Sequence, residues 1–182
     1  MLHRKTWALS LVLVLLVASL TGCAVGGSQV AWPERAVTIS VDDALAAQDA
    51  GMAGLMAGNV EWTENQFSSF LTVLLQQNVG SNFPIQEIET YFEPEGQIFI
   101  RINLLDDVLL GSDAIEAVGS ITVADQHIAV DLDEASANGF TVSGPILDAI
   151  TSQINAALAD PSMGTAVDVT TGEGTLTVSV GM

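Results

Sequence analysis

The sequence predicts an α+β domain: a curved, mainly antiparallel sheet of about six strands wrapped around two or three amphipathic helices. Apolar side chains recur at every second position from Ile98 to Leu104 and in later runs between Ile121 and Val180, the period of strands with one buried face. Two stretches beginning at Thr63 and Pro145 repeat instead at three and four positions, the period of a helix with one apolar stripe. Connections such as Glu93–Gly96 and Thr171–Gly174 are too short for parallel crossovers, so neighbouring strands pair antiparallel.

In chain order, Val37, Thr38 and Ile39 form a β-branched run that fits an edge strand. Ser40 stands three residues before Asp43 as a weak capping box, and Asp42–Ala57 follows as an alanine-rich helix. Leu45, Met52, Leu55 and Met56 give that helix one apolar stripe, while Gly51 and Gly54 each lower its propensity by about 1 kcal/mol relative to alanine. The stripe either packs against the sheet or, through its methionines, lines an adaptable lipid groove. Val60 and Trp62 make a short strand or extended entry. Thr63 and Gln66 then form a capping box, and Phe67, Phe70, Leu71, Leu74 and Leu75 share one helical face that ends at Gly80 and Pro84.

Ile88, Thr90 and Phe92 alternate with Glu87, Glu89 and Tyr91, and Glu93-Pro94-Glu95-Gly96 turns the chain. Ile98, Ile100, Ile102 and Leu104 form the inner face of the next strand, with Phe99, Arg101 and Asn103 on the other side. Leu104–Leu110 is apolar apart from Asp106 and Asp107, a candidate mobile lip, and Gly111–Asp113 turns. Ile121–Val123 and Ile128–Leu132 make a second hairpin across Ala124–His127. Gly144-Pro145 opens a helix buried through Ile146, Ile150, Ile154, Ala157 and Leu158, and Asp160-Pro161 stops it. Thr165–Thr170 and Thr175–Val180 form the last hairpin.

The first residues obey another pattern. Met1–Thr6 is short and basic, Trp7–Leu20 is apolar apart from Ser10 and Ser19, and Leu20-Thr21-Gly22-Cys23 follows directly. This segment resembles the lipobox of bacterial lipoproteins. The resemblance implies a signal peptide over 1–22, acylation of the Cys23 thiol, a lipidated tether over 23–36 and a single domain over 37–182, held by lipid at the extracytoplasmic face of a bacterial membrane. The alternative, an uncut transmembrane anchor, falls short of the about 20 apolar residues that a span needs.

All 22 acidic residues lie beyond Cys23, against only Arg35 and Arg101. A field of that sign repels phosphate backbones and anionic headgroups, which excludes nucleic acid as a partner. The acids serve solubility or, alternatively, bind cations.

Chemistry is sparse. His127 is the sole histidine after His3 and Cys23 the sole cysteine, so no histidine or cysteine cluster can hold zinc. A Ser/His/Asp triad would need His127 as its base, but that residue sits in a predicted hairpin turn and the sequence has no nucleophile elbow. Asp131, Asp133 and Glu134 lack the loop of a calcium site and suit a solvated strand face. No catalytic residue, metal or cofactor is expected, and the protein is not expected to be an enzyme.

The helix Thr63–Leu71 reads T-E-x-Q-F-x-x-F-L, and Pro145–Leu158 reads P-I-L-x-x-I-x-x-Q-I-N-x-x-L, with hairpins between and after them. This order is similar to small bacterial domains related to the tubular lipid-binding superfamily. The resemblance implies an interior groove for an acyl chain or similar apolar ligand, with Phe67, Phe70, Leu74, Ile100, Ile150 and Ile154 as candidate lining residues. The alternative is a structural or assembly domain at the cell envelope whose core is solid.

Overall fold

The structure, a computed structural model, describes residues 31–78, 85–105, 112–159 and 165–181. The expectations for Cys23, Gly80, Pro84, Asp106–Leu110, Gly111 and Asp160-Pro161 lie outside those residues.

Among the described residues, three α-helices, α1 (Val41–Ala57), α2 (Glu64–Asn78) and α3 (Gly144–Leu158), accompany eight strands. The strands are β1 (Asn59–Thr63), β2 (Ile85–Phe92), β3 (Gln97–Leu104), β4 (Ala114–Ala124), β5 (His127–Ala137), β6 (Phe140–Thr141), β7 (Ala166–Gly172) and β8 (Thr175–Val180). The α+β class stands, but the strands divide into two antiparallel sheets in place of one, a five-stranded meander β2-β3-β4-β5-β6 and a three-stranded sheet β1-β8-β7. The division arises because β1, left open as strand or extended entry, pairs with β8 from the far end of the domain, Val60 opposite Val178 and Trp62 opposite Leu176. The sheets meet where Ala166 N donates to Gln126 O (2.8 Å) and Gly174 N donates to Phe92 O (3.0 Å).

Local signals place the helix starts. Ser40 Oγ accepts from Asp43 N at 3.0 Å and donates to Asp43 Oδ2 at 2.6 Å. Thr63 and Gln66 cap each other, with Gln66 N to Thr63 Oγ1 at 3.3 Å and Thr63 N to Gln66 Oε1 at 3.1 Å. Pro145 occupies the first turn of α3, where a missing amide hydrogen costs nothing. The stripe of α3 differs at one position: Leu147 is buried, and Ile146 is left exposed one residue off the face.

Val37–Ile39 is not a strand. It is an extended strap along α2, bonded through Thr38 N to Asn65 Oδ1 (3.1 Å), and just beyond it Ser40 N bonds Ser69 Oγ (3.0 Å). Side-chain acceptors on the helix take the place of a neighbouring strand. Asn138 and Gly139, both with positive φ, form the tight turn that adds β6, a hairpin signal of the Asn-Gly type.

Helix α2 lies against the outer edge of β2 and closes it with a ladder of side chains. Glu64 Oε1 accepts from Phe92 N (2.9 Å), Ser68 Oγ accepts from Thr90 N (2.8 Å), Thr72 Oγ1 accepts from Ile88 N (3.0 Å), and Gln76 Nε2 donates to Gln86 O (2.8 Å). Four helical residues rise about 6 Å and two strand residues about 6.7 Å, so one rung per helical turn meets every second strand residue. On the opposite edge, the Asn155 amide of α3 accepts from Val130 N and donates to Val130 O, both at 2.8 Å. Strand groups that would otherwise stay unpaired, or pair with another chain, are thereby satisfied.

The core lies between the inner face of the large sheet and the helices. Ile88, Phe92, Ile98, Ile100 and Ile102 meet Phe67, Leu71 and Leu75 of α2 and Ile150, Ile154 and Leu158 of α3 in a single cluster. The outer face is not uniformly wet, as alternation predicts: Tyr91 and Phe99, cross-strand neighbours there, are buried as well.

Candidate functional site

The six side chains expected to line a ligand groove are brought together. Phe67, Leu74, Ile100, Ile150 and Ile154 are buried members of the core cluster, and half-buried Phe70 packs against it. Rings set the spacing: Trp62 lies 6.1 Å from Phe67 and 6.5 Å from Phe70, and Phe67 meets Phe92 edge-on at 5.3 Å. The Trp62 indole N–H donates to Ala47 O at 2.9 Å, which satisfies its one polar group inside the core. Beside Trp62, a void of about 10 Å³ lies among Gly51, His127, Leu158 and Val178. That is room for about one water, against the several hundred Å³ of a typical ligand pocket.

Both arginines beyond Cys23 are held by the chain's own carboxylates. Arg35 Nη2 bonds Glu64 Oε1 (2.8 Å), Glu93 Oε1 (2.9 Å) and Phe92 O (3.0 Å), while Nε reaches Glu64 Oε2 (3.2 Å). The hydrogen bond to Glu64 holds the Arg35 proton more tightly than in an ordinary arginine, although burial works against the charge. Arg35 thus joins the extended strap to the top rung of the α2 ladder.

Arg101 sits on the outer face of β3, with Nη2 2.9 Å from Glu116 Oε1 and Nη1 3.4 Å from Glu89 Oε2. Burial alone would lower its affinity for the proton, but Glu116 and Glu89 leave it raised. Tyr91 Oη donates to the same Glu89 at 2.7 Å, and burial first, with that carboxylate second, pushes the phenol up to about 12. Asp131, Asp133 and Glu134 stand exposed along β5.

The expectation that the α1 stripe of Leu45, Met52, Leu55 and Met56 packs against the sheet is overturned. The helix buries its small residues and presents its large ones. Ala44, Ala47 and Gly54 face inward, whereas Met56 is 89% exposed, Val41 71%, Leu45 and Met52 54% and Leu55 38%. The reason is close approach: a Cβ at Gly54 would stand 2.7 Å from Val60 Cβ, and one at Gly51 would touch the Trp62 ring at 3.5 Å. With β1 so near, only alanine and glycine fit beneath α1, and the leucine and methionine stripe turns to solvent.

Comparison with protein-family models, with curated proteins and with solved structures finds no match to this chain.

Proposed function

We propose that this is a lipid-anchored envelope protein whose α+β domain works as a solid interaction module, by binding rather than by catalysis. Lipid on Cys23 would hold it at the extracytoplasmic face of a bacterial membrane. The observation that supports a solid domain is the placement of Phe67, Leu74, Ile100, Ile150 and Ile154 in one packed core with half-buried Phe70 against it. An acyl chain in a wrapped interior, which the tubular lipid-binding resemblance implies, would need those packed side chains to part and open several hundred Å³ among them.

Native mass spectrometry of the full protein, extracted gently from membranes of its host, tests both halves. The expected mass is the polypeptide from Cys23 plus covalent acyl groups, with Cys23→Ser unprocessed and unlabelled by radioactive fatty acid. A second, non-covalent lipid that survives extraction and leaves on collisional activation would replace the solid reading with the carrier reading. Normal acyl labelling of Cys23→Ser would remove the anchor.

A further inference from the structure

We propose that the exposed stripe of α1 is a membrane-contact face that lies in the interface of an electroneutral lipid bilayer. The inference rests on the anchor reading above. Val41, Leu45, Gln48, Met52 and Leu55 are spaced four, three, four and three residues apart, with Met56 alongside, so they form one strip at 3.6 residues per turn. Gln48 is its only polar member. A helix that buries alanines and glycines while it exposes valine, leucines and methionines reverses the usual arrangement, and an exposed apolar patch of this kind marks a contact.

Size and reach select the occupant. A strip about 22 Å long on a helix about 10 Å across offers roughly 200–300 Å². A stable protein partner from solution, or a second copy, needs about 800 Å² from each side. Such a strip suffices only for a surface that is already close by, because tethering replaces affinity with local concentration. The bilayer that receives the Cys23 lipid meets that condition. Cys23 is 12 residues before Arg35, which Glu64 holds to the domain, a span of at most about 40 Å. Charge narrows the lipid further: Asp42 and Asp49 border the strip and α1 carries no lysine or arginine, so anionic headgroups are repelled and zwitterionic ones tolerated. Flexible thioether side chains at Met52 and Met56 suit the uneven acyl boundary.

The test uses the acylated protein reconstituted into phosphatidylcholine vesicles. In a Met56→Cys variant the new thiol carries an environment-sensitive fluorophore, since Cys23 is blocked by its lipid. A Gln153→Cys label on the exposed side of α3 is the control. The Met56→Cys label should shift to the blue and be quenched by lipids with nitroxide-bearing chains, and the Gln153→Cys label should do neither. Leu45→Asp with Met52→Asp, both at exposed positions, should abolish the response without changing the melting curve or flotation with the vesicles. Intact flotation with a water-exposed Met56→Cys label would overturn the proposal and leave the anchor standing. A blue shift that appears without vesicles and grows with protein concentration would assign the strip to a second copy, and one that needs other membrane proteins would assign it to a protein partner. Stronger quenching in phosphatidylglycerol would overturn the choice of neutral lipid. Failure to float would remove the anchor, and the proposal with it.

Discussion

Single side chains in this domain carry unusual polar obligations. Thr90 is fully buried on the inner face of β2, and its Oγ1 has no hydrogen-bond partner among the described residues, although its backbone groups are served by Ser68. A hydroxyl in that position costs its desolvation without return, and valine has nearly the same shape and suits a strand equally well. Thr90→Val should therefore raise stability by about 1 kcal/mol, read from urea unfolding. Tyr91 gives a pH-dependent counterpart. Its folded-state value of about 12 lies above the ordinary 10.0, so the folded protein holds the phenolic proton longer than the unfolded chain. The resulting stabilisation is complete below pH 10 and is lost as pH rises through about 12. Tyr91 is the only tyrosine in the chain, so ultraviolet absorbance reports it alone. The titration midpoint should lie near 12 in the folded protein and fall to about 10 in denaturant, and Tyr91→Phe should flatten the alkaline loss of stability.

At the level of elements, the α2 ladder is the device whose removal has a graded outcome. Ser68→Ala and Thr72→Val each leave an N–H and a C=O of β2 buried and unpaired, at a cost of about 1–3 kcal/mol apiece, whereas Gln76→Ala at the exposed end should cost less than about 1 kcal/mol. Equal losses at all three positions would mean that helix packing, and not the rungs, holds α2. Helix α1 makes the complementary case. Gly54→Ala drives a Cβ into Val60 and Asn59 and should cost about 1–3 kcal/mol, while Met56→Ala should change stability by less than about 0.5 kcal/mol in thermal melts. These two elements also mark where the sequence is legible. The Ser40 and Thr63 caps, the stripes of α2 and α3 and the β2–β3 hairpin are written in neighbouring residues. The Asn138-Gly139 turn carried a readable signal for β6. The face that α1 buries could not be read, because hydropathy favours the leucines and methionines and only the nearness of Val60 and Trp62 reverses the choice. The β2 ladder is equally hidden, since serine and threonine at every fourth helical position look like ordinary polar residues until a strand edge lies beside them.

For the whole molecule, the same distinction between local and distant information holds. The candidate cavity residues were readable as a set because each sits on a periodic apolar face, but whether that set closes on itself is decided by two helices and a sheet together. The split into two sheets is a long-range event, β1 with β8, that no local period announces. Charge is the one global property fully present in composition. Twenty-two acidic side chains share the domain with two arginines, a balance of −20 beyond Cys23. Both arginines are already engaged, Arg35 by Glu64 and Glu93 and Arg101 by Glu89 and Glu116, so the remaining carboxylates interact with one another chiefly by repulsion. Repulsion between exposed charges acts over distances that salt shortens, from a screening length of about 30 Å at 0.01 M to about 3 Å at 1 M. The two arginine networks are short-ranged and partly buried, so screening weakens them far less than it relieves the long-range repulsion. Sodium chloride between about 0.01 and 1 M should therefore raise the Tm of the domain, most steeply at the low end, where the screening length passes through the dimensions of the fold. A Tm that falls with salt would place the balance of electrostatic energy in the arginine networks, and Arg101→Met would then lose most of that salt dependence.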